Sequence, residues 1–168
     1  MTSQPNSEKN SVEETLNSIA SLYNDGEMEK AVESGNALIE KVPNHPGLLN
    51  LMGAAHLALK QTSRAIPFFE RAIIAAPNYA EAYNNAGAAH FSVGALAQAE
   101  QNYAKAVSLK PDYLEAYNNL GSVLRDKGDF QGAILNFEKS LDIRPDSKPI
   151  LVELGKAYVN LGDLKRGL

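Results

Sequence analysis

The stretch EAYNNAGAAH, Glu81–His90, returns as EAYNNLGSVL at Glu115–Leu124. The two copies start 34 residues apart, and the same interval runs through the chain. Pro43, Pro77, Pro111 and Pro145 keep it, and they are followed in turn by Asn44, Asn78, Asp112 and Asp146. Proline cannot continue a helix, whereas Asn and Asp accept hydrogen bonds from the open amides of a new one. Each Pro-Asx pair is therefore expected to end one helix and to start the next. Glu81 and Glu115, three residues after Asn78 and Asp112, complete capping boxes, and Ser11 with Glu14 forms another near the start.

Further columns share this register. Gly53, Gly87, Gly121 and Gly155 fall in the middle of the first helix of each unit, where glycine costs about 1 kcal/mol relative to alanine. Close approach of two helix backbones would offset that cost, and Ala31, Ala65, Ala99 and Ala133 supply a matching small column in the second helix. Gly26, Gly94, Gly128 and Gly162 lie between the two helices, where a left-handed cap is wanted. Larger side chains fill the rest: Leu49, Tyr83, Tyr117 and Leu151 early in the first helix, Phe69, Tyr103 and Phe137 late in the second. Each unit is thus a hairpin of two amphipathic helices that buries its apolar face by stacking on its neighbours. Pro67 falls inside one second helix, which should start late, near Thr62 or Ser63, or kink there.

These columns resemble the tetratricopeptide repeat, a 34-residue helix-turn-helix unit with small residues at fixed helix crossings, flanking aromatics and a closing proline. The resemblance covers residues 12–168. Units 46–79, 80–113 and 114–147 match strongly; unit 12–45 is degenerate, with Ile19 in place of the glycine and Gly35 in place of the late aromatic; unit 148–168 is partial. The resemblance implies an all-α fold, a right-handed superhelical solenoid of helix-turn-helix repeats over residues 11–168, preceded by a flexible tail at 1–10. The stop in mid-repeat reads as the edge of a longer protein.

Composition narrows the function. The chain has 168 residues, 44% of them hydrophobic, a net charge of -4 and no cysteine, which excludes disulfides and thiolate chemistry. Acidic and basic residues are interspersed, so no basic footprint for nucleic acid stands out. The opening MTSQPNSEKN has neither the basic start nor the apolar run of a secretory signal, and no stretch reaches the roughly 18 apolar residues of a membrane span. A cytoplasmic protein with no membrane partner is expected.

Catalysis is not expected either. His56 and His90 are one period apart, but their column holds Leu22, Leu124 and Tyr158 elsewhere, which are packing residues, and no metal-ligand spacing accompanies them. His45 reads as a surface residue in a turn. No phosphate loop or nucleophile elbow appears, and neither a cofactor nor a metal is implied.

A repeat array of this kind offers a groove. Its first helices line the concave side, and the helical period brings Asn50, Asn84, Asn85, Ala88, Phe91, Asn118, Asn119, Ser122 and Arg125 to that side as candidate peptide-binding residues. Asparagine suits the task because its amide carries both a donor and an acceptor, matching the NH and CO of a peptide backbone. By the resemblance, Asn85 and Asn119 match an asparagine that contacts peptide backbone in tetratricopeptide arrays. The implied function is a non-catalytic scaffold for protein–protein interaction that binds an extended peptide or a helix; the alternative is the docking array of a larger glycosyl- or sulfotransferase. A clamp for C-terminal carboxylates would need basic residues where Glu81, Asn84 and Glu115 stand. Leu151, Leu154 and Tyr158 in the partial unit also suggest self-association.

Overall fold

The computed structural model describes residues 5–162, with side chains from residue 10 onward. Among the described residues every regular element is a helix: α1 (Pro5–Asn24), α2 (Met28–Ile39), α3 (Pro46–Ala58), α4 (Thr62–Ala75), α5 (Ala80–Ser92), α6 (Leu96–Leu109), α7 (Leu114–Asp126), α8 (Phe130–Ile143) and α9 (Lys148–Leu161). They pair as the period requires. Two compact units result, one with α1–α4 that ends at Pro77 and one with α5–α9 that begins at Asn78. In the first, each helix packs on the next, around Ile19, Ala31, Leu38, Leu48 and Met52. In the second, α5 to α9 likewise pack in order, around Tyr103, Leu120, Val123, Phe137 and Ile150.

The mid-helix glycines serve a ring, not the alanine column. A Cβ built on Gly53 would stand 2.6 Å from the Phe69 ring, and one on Gly87 or Gly121 would stand 2.7 Å from Tyr103 or Phe137. Each glycine is thus a notch in the first helix that receives the aromatic of its own hairpin partner. The cost of about 1 kcal/mol for glycine is outweighed by full burial of a phenylalanine, worth about 1.5–3 kcal/mol. Phe69 and Phe137 are both fully buried. In the first hairpin the arrangement is inverted. Ile19 on the first helix is fully buried, and a Cβ on Gly35 of the second would collide with the sulfur of Met52.

The Pro-Asx pairs form turns and do not cap helices. Lys110-Pro111-Asp112-Tyr113 closes with Tyr113 N donating to Lys110 O at 3.1 Å, and Val42–His45 and Arg144–Ser147 close in the same way. Proline fits the second position of such a β-turn, and a short polar residue fits the third. The caps follow one residue later, at Tyr79 and Tyr113, with no side-chain cap bond, so the two capping boxes do not form. His45 is a capping residue: its Nδ1 accepts from Leu48 N at 3.2 Å. The box at Ser11 is also absent, because α1 begins at Pro5 and runs through it. Residues 5–10, assigned above to a tail, are therefore helical, and residues 1–4 lie outside the described residues. Pro67 sits inside α4 on its exposed side. That helix starts at Thr62, as expected from the sequence, but Thr62 is the ordinary register position shared with Leu96 of α6 and Phe130 of α8 and not a delayed start.

Gly26, Gly94 and Gly128, between the two helices of a hairpin, and Gly162, at the C-terminal end of α9, are left-handed, at φ 81, 76, 84 and 89. Lys60 takes the equivalent place between α3 and α4 at φ 59. His56 is buried, stacks on Phe68 with ring centroids 5.3 Å apart, and its Nδ1 lies 2.9 Å from Gln61 Oε1.

Candidate functional site

In the second unit α5 packs against α7, and α7 against α9, so three first helices lie side by side. The doubled asparagines sit on α5 and α7. Neighbours on a helix point about 100° apart, so the two members of each pair cannot share an environment. Asn84 is 1% exposed, and its amide faces α7. Its Nδ2 donates to Glu115 Oε1 at 3.2 Å, and its Oδ1 accepts from Asn119 Nδ2 at 3.0 Å. Asn84 was expected to meet a guest; its burial instead makes it a bridge between helices. Asn85 and Asn119 are half-buried.

The glutamates expected to cap helices are the partners in these links. Glu81 Oε1 accepts from Lys110 Nζ at 2.9 Å, and this contact holds the Glu81 carboxyl below the usual carboxylate range against the opposing effect of its partial burial. The same bond raises Lys110, whose ammonium also lies 4.8 Å above the Tyr113 ring. Burial pushes the Tyr113 hydroxyl well above its ordinary range; the Glu115, Glu81 and Tyr79 groups add to the rise, and a hydrogen bond with Asn84 opposes it. Burial, followed by Glu115, does the same to Tyr103. Both phenols therefore stay protonated at neutral pH.

The link between α7 and α9 is of another kind. Arg125 pairs with Glu153 and with Asp126, and Lys156 Nζ lies 2.7 Å from Glu153 Oε1. Asn118 is the register equivalent of Asn84, but Pro149 stands where Glu115 would be needed and Glu153 where Asn119 would be. Its Oδ1 is buried with no hydrogen-bond partner. Ser122 Oγ donates to the Asn118 carbonyl at 3.0 Å. Ala88 and Phe91 are partly buried against the core of this unit. Asn50 lies half-buried on α3, in the first unit. Arg125 also borders an open depression of about 670 Å3 along α9, lined by Leu151, Val152, Gly155, Lys156, Val159 and Asn160.

Reading the sequence alone misses Lys110 as part of this face and Glu115 as the partner of Asn84. The available signal was the offset: Glu115 is 31 residues from Asn84 and Asn119 is 35, values close to one period that place each side chain on the adjacent first helix. Among the described residues no group of His, Cys, Asp and Glu is arranged to hold a metal, and no helix is long and apolar enough to cross a membrane.

Family models described as tetratricopeptide repeat match residues 46–79 and 78–146, together more than half of the 168-residue chain. No curated protein sequence matches it. Among solved structures, MamA residues 41–end from Desulfovibrio magneticus RS-1 is similar at 22% identity and a TM-score of 0.84, over 93% of this chain and 88% of that one. YrrB, described as a tetratricopeptide repeat protein with an unusual peptide-binding site, is similar at 18% identity and 0.78, over 92% and 79%. PilF from Pseudomonas aeruginosa is similar at 17% and 0.86, over 95% and 72%.

Proposed function

Because the chain belongs to the tetratricopeptide repeat family, we propose that it is a non-catalytic scaffold for protein–protein interaction, holding an extended peptide of a partner along the face shared by α5, α7 and α9. The observation that carries this reading is the burial of Asn84 as a bridge beside half-exposed Asn85 and Asn119. The buried amide stiffens the wall, and its neighbours on the surface keep polar groups that suit a peptide backbone. The likeness to a protein described as binding peptide supports the same reading.

The test is Asn85→Ala combined with Asn119→Ala, assayed against a peptide selected on the natural chain. Removal of two amide contacts should weaken binding roughly tenfold to a hundredfold. Loss of Asn119 also leaves the buried Asn84 oxygen without its donor, so a stability loss of about 1 kcal/mol should accompany it. Undiminished affinity in the double variant would place the binding surface elsewhere. A second mode of interaction, self-association through α9, is favoured by the exposed Leu151, Val152, Val159 and Leu161.

A further inference from the structure

The link between α5 and α7 has a direction. Glu115 ends it as a carboxylate, which accepts hydrogen bonds and has none to donate. Asn84 must therefore turn its nitrogen toward Glu115, as observed at 3.2 Å, and this leaves its oxygen for Asn119. An oxygen calls for a donor, so Asn119 must turn its own nitrogen inward, as observed at 3.0 Å. Neither amide can be reversed without setting oxygen against oxygen at a buried position. The amide oxygen of Asn119 is then the acceptor kept for a guest. Two hydrogen bonds away from that amide, a carboxylate decides which atom the groove presents.

We infer that Glu115 is a positioning residue that acts through buried Asn84 to fix the Asn119 amide, so that this point of the groove selects a backbone N–H of the bound peptide. The inference rests on the groove reading above and adds to it the polarity of one contact and the residue that sets it. The α7–α9 link supports it by contrast. There Pro149 and Glu153 replace the two partners, no relay forms, and the Asn118 oxygen is left without a donor. The amide of Asn118 therefore has no fixed orientation to pass on, and the selection is confined to Asn119.

Substitution of Glu115 by glutamine keeps shape and removes direction, since glutamine can accept from Asn84 or donate to it. NMR of the 15N-labelled chain without ligand reads this directly. In the natural chain the Asn84 and Asn119 side-chain amides should each give one resonance pair with slowed hydrogen exchange. In Glu115→Gln those pairs should double or exchange faster. One unchanged Asn119 pair in Glu115→Gln would overturn the relay.

The second measurement uses a dodecapeptide selected from a random displayed library on the natural chain, then remade with a methyl on each backbone nitrogen in turn. One methyl should cost about fivefold in affinity, the worth of one hydrogen bond, and the same methyl should cost nothing in Asn119→Ala. Glu115→Gln should weaken the unmethylated peptide by about twofold or more, because only the fraction of molecules with the oxygen outward is competent. A peptide that needs Asn119 but shows no such selective methyl sinks the inference and leaves the groove. A library with no binder, or a binder indifferent to Asn85 and Asn119, sinks the groove reading and with it the role assigned to the Asn119 oxygen.

Discussion

Lys60 is held in a left-handed conformation by the same bond that closes the glycine turns. Gln61 N donates to His56 O at 2.8 Å, as Glu27 N does to Leu22 O and Asp129 N to Leu124 O at 2.9 Å. A side chain in that region costs about 1–2 kcal/mol, and glycine removes the cost but adds about 0.4–1 kcal/mol of unfolded-state entropy. Lys60→Gly should therefore stabilise the chain by about 0.5–1 kcal/mol, read as a higher urea midpoint; a lower midpoint would contradict the strain. At this scale the sequence was informative about kind and weaker about environment. The column of left-handed residues was legible in four of its members, whereas Asn84 and Asn85 read alike. Adjacent asparagines differ only in what packs on each, and that depends on a helix one period away. The role of Glu115 was hidden for the same reason, because its spacing from Asp112 fits a capping box as well as its offset from Asn84 fits a bridge.

The hairpin is defined by how a ring enters a notch. Gly121→Ala gains about 1 kcal/mol of helix propensity but sets a methyl 2.7 Å from the buried Phe137 ring, an overpacking cost of about 1–3 kcal/mol. A net loss of stability is expected in denaturant titration, with most of it recovered when Phe137→Leu is added, a coupling that two independent sites would not display. The helices and their pairing were legible from the period, because apolar and small residues must recur on the buried face. Their boundaries were less so. Proline followed by Asn or Asp serves a β-turn as well as a helix start, and the choice is made by the hydrogen bond from Tyr113 to Lys110 and its equivalents. The glycine column likewise pointed to a close contact without saying whether alanine or an aromatic ring supplied the other side.

Across the molecule, eight large hydrophobic side chains are exposed among the described residues, and four of them, Leu151, Val152, Val159 and Leu161, lie on α9. Single exposed apolar residues need no explanation, but a cluster on one helix does. Concentration-dependent association is expected, measured as a rising mass in light scattering; a monomer mass held at high concentration would count against it. Leu151→Lys with Val159→Lys should abolish the rise and leave the helical signal in place. The family was legible at this scale because the period repeats over the chain and chance does not align so many columns.

The inverted packing of the first hairpin bears on modularity. Consensus repeat arrays invite shuffling, on the premise that any unit fits any slot. Here the α1–α2 segment carries its bulk on the opposite partner, with Ile19 filling the slot and Gly35 yielding room to Met52. Transplanted to an interior slot, it would bring no aromatic on its second helix and would ask its new neighbour for a long flexible thioether. Tyr83 sits nearer the start of its helix, and the residue after unit 46–79 that would face Gly35 is Ala86, too small for the vacancy. Position along this array is therefore written into the side chains of the unit, and the order of the hairpins is as much a part of the protein's design as their number.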